Sequence, residues 1–207
     1  MNSFYKLFIF ILFSFNINYG QNKTIYVNEN LELISEKEFY LKDNNIEYLY
    51  SQYSTDSLVI KTKAKRENKG ILEESIRIRI KDYINNTKQN ENKITDSDII
   101  VINYYPGLDN CNKGVGNDFL INKFASYTRK IKKIKNVKQF YFYKDIGNTK
   151  KYGEKLMWFK DSHNLFEKLF FKIHYPCGSY VIIFPDNTFI SYFGEYNIND
   201  ILERLKN

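Results

Sequence analysis

Ile99 to Tyr104 is a near-continuous apolar run, the pattern of a strand buried on both faces. Downstream of it the apolar spacing switches between helical and strand periods. Gly114 to Ile134 places Leu120, Phe124, Tyr127, Ile131 and Ile134 along one stripe, which predicts a long helix. Val137 to Tyr143 is the next strand. Two buried strands joined through a helix require a right-handed crossover and are expected to lie parallel. Asp145 to Leu156, with Gly147 and Gly153, reads as a loop, and Asp161 to Phe171 as a helix with Leu165, Phe166, Leu169 and Phe170 inward. Tyr180 to Phe184 and Thr188 to Phe193 flank Pro185-Asp186-Asn187, whose Pro fixes φ and whose Asn tolerates a left-handed conformation, so the pair predicts an antiparallel hairpin. Asn197 is placed to cap a final helix over Ile198 to Leu205.

The stretch before Ile99 is patterned less sharply. Thr24 to Val27 predicts a short strand, and Ser35 stands where it can cap one helical turn against Glu38. Tyr48-Leu49-Tyr50 and Leu58-Val59-Ile60 read as paired strands around Ser54-Thr55-Asp56. Lys61 to Gly70 is dense in charge and reads as a surface linker. Ile71 to Ile84 carries two periods at once: Leu72, Ile76, Ile80 and Ile84 recur every fourth residue, while Ile76, Ile78 and Ile80 alternate. Its length and the Glu73-Glu74 pair at its start favour the helix. Asn85 to Thr95 is polar loop.

The N-terminus changes the picture of where the chain works. MNSFYKLFIFILFSFNINYG has one basic residue, Lys6, then a Leu, Phe and Ile run too short for a comfortable membrane span, then small or polar residues up to Gly20-Gln21. This is the pattern of a secretory signal over residues 1–20. It leads to the expectation of a protein delivered to the periplasm or secreted, with no stable membrane insertion after cleavage. What remains is long enough to bury a proper core.

The formal net charge is +7, and the expected cut removes only Lys6. Asn, Lys, Ile, Tyr and Phe abound while Ala occurs only at Ala64 and Ala125, so the charge follows a bias toward residues with A- and T-rich codons. The run Arg129-Lys130-Ile131-Lys132-Lys133-Ile134-Lys135 is the strongest local basic feature. It lies at the end of a helix, where cations complement the dipole, and lacks an interleaved aromatic platform; no nucleic-acid partner is expected. Zinc-type Cys/His spacing, H-E-x-x-H, a Ser-His-Asp context and a phosphate-cradling loop are all missing from the sequence, and no cofactor or metal is called for.

The candidate chemistry is sulfur. Cys111 follows the Ile99 to Tyr104 strand, and Cys177 lies in Tyr175-Pro176-Cys177-Gly178-Ser179, just before the hairpin. With that order of strand, Cys-bearing loop, helix, strand, helix and hairpin, residues 71–207 resemble the thioredoxin-like superfamily. The resemblance implies an α/β fold with a mixed, mostly parallel thioredoxin-like sheet flanked by helices, prefixed by a small β-rich extension over residues 21–66. It also implies that the two Cys loops are neighbours in space. Laid on the family's C-x-x-C without gaps, Leu108-Asp109-Asn110-Cys111 places Leu108 at the nucleophilic cysteine and Cys111 at the resolving one; with a loop one turn longer, Cys111 is instead the sole helix-start cysteine. Direct counting puts Ser179 at the family's cis-proline, with Pro176 three residues earlier.

Three readings of the cysteines follow: a structural Cys111–Cys177 disulfide, worth roughly 4 kcal/mol for a loop of this length on the entropy model; a redox pair divided between two loops; or two unlinked thiols. His174, three residues before Cys177, is placed to lower a thiol pKa, though a lone His at a helix exit is more often a satisfied polar residue. Dithiol exchange needs an attacking thiolate and a resolving thiol, and the usual partner at that spacing is replaced by Leu108. The expectation is therefore a redox-inactive or weakly active binding module. It would present Tyr105, Pro106, Pro176 and Ser179 to an envelope protein. The alternative is an atypical thiol–disulfide oxidoreductase using Cys111 and Cys177 on a thiol-containing protein substrate.

Overall fold

In the computed structural model, residues 23–41, 46–87, 93–107, 111, 114–147, 149–173, 175 and 177–206 are described. Two mixed sheets organise them. The smaller has the order β2-β1-β4-β3, built from β1 (Lys23–Val27), β2 (Leu33–Ile34), β3 (Tyr48–Ser54) and β4 (Leu58–Lys65), with β1 and β4 parallel. A short helix α1 (Glu36–Phe39) follows β2, and Ser35 caps it as expected, its Oγ accepting the Glu38 N–H at 3.1 Å. The larger sheet has the order β5-β10-β9-β6-β7-β8: β5 (Glu67–Ile71), β6 (Ile99–Tyr105), β7 (Val137–Tyr143), β8 (Trp158–Lys160), β9 (Ser179–Ile183) and β10 (Thr188–Tyr192).

β6 and β7 are adjacent and parallel in the register Val101↔Gln139, as the crossover argument requires. The sheet is not mostly parallel, however. β8 continues the parallel half, but β9, β10 and β5 are joined by antiparallel pairings, so antiparallel contacts are in the majority.

Alternation along β6 separates the two faces of this sheet. Ile100, Ile102 and Tyr104 pack in one cluster with Ile80 and Ile84 of α2 (Glu74–Asn85) and Phe166 of α4 (Leu165–Phe170). Val101, one residue out of phase, packs with Tyr127 and Ile131 of α3 (Asn117–Ile131) and with Ile201 and Leu202 of α5 (Ile198–Arg204). Successive strand side chains point to opposite faces, so one apolar strand anchors both helix layers. Ile102, Ile182 and Phe142 have no solvent exposure.

The two-period segment resolves as a helix. Ile80 and Ile84 are fully buried while Ile78 is 44% exposed. A strand would have put Ile78 on the same face as Ile76 and Ile80. The hairpin turn carries Asn187 at φ 69°, and Asn197 accepts the Asn199 N–H at 3.0 Å to start α5.

Three boundaries need correction. Lys61 to Gly70 is not a linker: it completes β4 and forms β5, and the chain crosses from one sheet to the other at Arg66. Lys63 is buried, its ammonium donating to the Glu38 carbonyl at 2.9 Å and lying 5.0 Å from the Tyr48 ring centre, so a charged side chain is accommodated inside by its polar tip. The helix expected from Asp161 begins at Leu165, because the Asp161 carboxylate accepts the N–H groups of Leu165, Phe166 and Glu167. Trp158–Lys160, between the expected loop and helix, adds an edge strand.

Candidate functional site: the cleft beside the disulfide

Tyr104 of β6 pairs with Ser179 of β9, so the end of one strand meets the start of the other. The loops carrying Cys111 and Cys177 leave from that same edge, and the two residues form a disulfide with Cα atoms 5.7 Å apart across 66 positions of sequence. This lies inside the distance a bridge requires. Neither cysteine is free. Cys177 is 2% exposed, whereas Cys111 is half-buried and faces a cleft of about 50 Å³.

The cleft is walled by the bridge on one side and by Tyr105, Phe124, Tyr152 and Trp158 on another, with exposed Lys123 and Glu195 at its rim. The rings support one another: Phe124 and Tyr152 meet edge-on at 4.8 Å, and Tyr141 and Trp158 at 5.3 Å. Among the described residues the Trp158 indole N–H is buried and has no hydrogen-bond partner.

A polar network forms the floor. Asn103, buried in the middle of β6, donates to the Tyr196 hydroxyl at 2.8 Å and to Tyr127 at 3.3 Å, and accepts from Gln139 at 2.8 Å. Gln139 also donates to the Tyr141 hydroxyl, which is 2.8 Å from Thr128 Oγ1. Burial holds the Tyr127 and Tyr141 phenols well above their ordinary pKa, so these rings act as neutral hydrogen-bonding groups. Asn103, the one polar residue inside the apolar run, was the available signal for this network, but sequence reasoning passed over it. Lys123, Glu195, Gln139 and Tyr196 carried no comparable signal, since their neighbours in space are remote in sequence.

The residues expected to present a binding loop are placed differently from one another. Tyr105 faces inward: its hydroxyl donates to the Gly147 carbonyl at 2.9 Å, and its ring packs against Tyr152 and Trp158. Pro106 is buried, as is Ser179, whose Oγ accepts the Gly194 N–H at 3.1 Å. Pro106 and Ser179 line a second, smaller cavity with Tyr104, Lys144, Glu167 and Tyr175. Pro176, His174 and Leu108-Asp109-Asn110 lie outside the described residues. The cations of Arg129 to Lys135 are exposed, away from both cavities.

Among the described residues no group of three or more His, Cys, Asp and Glu side chains is arranged to hold a metal ion, and no helix is long and apolar enough to cross a membrane. No family model, curated protein or solved structure matches this chain.

Proposed function

We propose that this chain is an exported, thioredoxin-like binding module of the cell envelope whose Cys111–Cys177 disulfide is structural. One observation carries the reading: each cysteine has the other as its bonded partner, on a separate loop, and the Cys177 side is buried. Disulfide exchange needs a thiolate to reach a sulfur and a second thiol to resolve the mixed disulfide. The chain has two cysteines in all, and Leu108 stands where the family's attacking cysteine would be. The order β10-β9-β6-β7, with β7 parallel and β9 antiparallel to β6, supports the thioredoxin-like assignment. A bridge of this kind is stable in an oxidising compartment, which supports export to the periplasm or beyond. The partner is an envelope protein docking at the loop edge where half-exposed Tyr175 and exposed Lys144 border the cavity lined by Pro106 and Ser179.

Thiol titration of the exported protein, native and then denatured, tests the bridge; no titratable thiol in either state is expected. Insulin reduction with dithiothreitol tests the module, and no acceleration above the reductant alone is expected. Robust turnover that Cys111→Ser abolishes would overturn it in favour of an atypical oxidoreductase. That second reading draws on the half-exposed Cys111 at the cleft, the sulfur a substrate thiolate would reach first. Mass spectrometry of the exported form tests the signal, and a chain beginning at Gln21 is expected.

A further inference from the structure

Among the described residues four strands stand at sheet edges, and an edge strand carries a row of unpaired N–H and C=O groups on which another strand can build. Three of the four are blunted. β2 has two residues, β8 has three and ends at Lys160, and β5 carries Glu67 and Lys69, with Glu67 bonded to both Lys69 and Arg204. β3 is the exception. It runs seven residues, Tyr48-Leu49-Tyr50-Ser51-Gln52-Tyr53-Ser54, without a charge or a proline, in a chain that is 27% charged. Among the described residues no strand lies on its far side, and Tyr50 and Tyr53 are 41% and 66% exposed. The pairing with β4 decides which backbone groups face outward. Glu47 accepts the Arg66 N–H at 2.8 Å and Thr55 donates to the Leu58 carbonyl at 2.8 Å, so it is the residues of odd number that bond β4. Bonded and non-bonded pairs alternate in an antiparallel ladder, which leaves Tyr48, Tyr50, Gln52 and Ser54 directing their N–H and C=O away from β4.

We infer that β3 pairs with β3 of a second copy of this chain, antiparallel across a two-fold axis at Ser51, making one continuous sheet from the two small ones. This register sets Tyr50 opposite Gln52 of the second copy and Tyr48 opposite its Ser54, and it is the one in which all four outward-facing residues gain a bonded partner. Tyr53 then lies opposite Leu49 of the second copy, so its exposed ring is covered. The match is reciprocal, as an isologous contact requires. A second copy also brings its edge already held in strand form by β4, whereas a free peptide would lose backbone entropy on docking. Charge points the same way. The chain carries a net charge of +7, so copies meeting elsewhere oppose like charges, while neither strand of this contact bears any. The inference concerns the small sheet and does not depend on the role of the disulfide or of the loop edge.

The test is sedimentation equilibrium of the exported protein, disulfide intact, over a range of concentrations, and a dimer is expected. Proline is tolerated on an edge strand where the missing N–H faces solvent, so Gln52→Pro spares the β4 ladder. It removes an interchain hydrogen bond from each copy and should weaken association at least about tenfold. Gln52→Lys adds the charge with which edges are commonly blunted and should weaken it likewise, which preserves the test if proline disturbs the fold. Cross-linking reads the register. Ser51 faces its own counterpart in a non-hydrogen-bonded pair, with Cα atoms about 4.5 Å apart, inside the range of a disulfide, so Ser51→Cys should oxidise to a covalent dimer. Tyr53→Cys leaves its two thiols about 13 Å apart along the strands and should not. A monomer at every concentration would overturn the pairing and leave the edge to a strand of another protein. A dimer unchanged by both Gln52 variants, or equal cross-linking at the two positions, would place the contact elsewhere and overturn it as well.

Discussion

Reducing the Cys111–Cys177 bridge without changing the sequence isolates what the cross-link contributes, because it leaves no cavity and introduces no foreign side chain. The bond closes a segment spanning 66 positions between residues whose Cα atoms lie 5.7 Å apart. On the chain-entropy model such a closure restricts the denatured ensemble by about 4 kcal/mol at 25 °C. Single domains are stable by about 5–15 kcal/mol, so the loss is a large part of the whole. With a urea m-value of about 2 kcal/mol per M, the unfolding midpoint should fall by roughly 2 M when a phosphine reductant is present. Far-UV circular dichroism is the appropriate probe, since it is insensitive to the bridge itself. Cys111→Ala with Cys177→Ala should fall at least as far, because removing the Cys177 sulfur also vacates buried space. A midpoint shift below about 0.5 M in both experiments, corresponding to about 1 kcal/mol, would refute the reasoning. The two loops would then be held by their packing, and the bond would be free to serve exchange chemistry.

Three further outcomes are expected. Trp158, the sole tryptophan, lines the same cleft as the disulfide, and disulfides quench indole emission at short range, so native-state fluorescence should rise on reduction; unchanged emission would separate the indole from the bridge. Asn103→Leu should cost about 2–4 kcal/mol in urea unfolding, because Tyr127, Tyr196 and Gln139 all lose a partner, against about 1 kcal/mol for Tyr196→Phe; equal losses would mean that Asn103 is not the hub. Burial raises the Asp161 pKa against three backbone N–H donors that lower it, so its contribution to stability is fully present below its unfolded pKa and is lost as pH rises through the folded value. Wild type should therefore compare more favourably with Asp161→Asn at pH 3 than at pH 7. An advantage that instead grows with pH would show that the helix amides outweigh burial.

How much of this was legible in the sequence depends on whether the deciding interaction was local. Ile99 to Tyr104, the α3 stripe and the Pro185-Asp186-Asn187 turn each carry their own signal, and each element stands where the pattern put it except that α3 is three residues shorter at each end than Gly114 to Ile134 and leaves Ile134 beyond it. Lys61, Lys63 and Lys65 alternate with Thr62 and Ala64 at a strand period, but charge density hid it. What stabilises Lys63 indoors is the Glu38 carbonyl and the Tyr48 ring, which no local pattern announces. The start of α4 moved four residues for a related reason, since Asp161 caps the helix from outside its first turn through a carboxylate that reaches three amides.

The cysteines show the same division within the site. Neighbouring loops were expected from a resemblance in element order and from no local pattern, and the Cys111–Cys177 bridge brings them together. Which side chains line the cleft between them was not legible, because it depends on register: Tyr104↔Ser179 and Tyr141↔Trp158 bring together residues 75 and 17 positions apart. Register also decides which way the consecutive tyrosines of β6 point. Tyr105 turns to the disulfide cleft and bonds Gly147, while Tyr104 turns to Phe171 and Glu167. A one-residue slip would exchange their faces. The two side chains thus serve opposite faces of one strand end, although Tyr104 also borders the disulfide cleft.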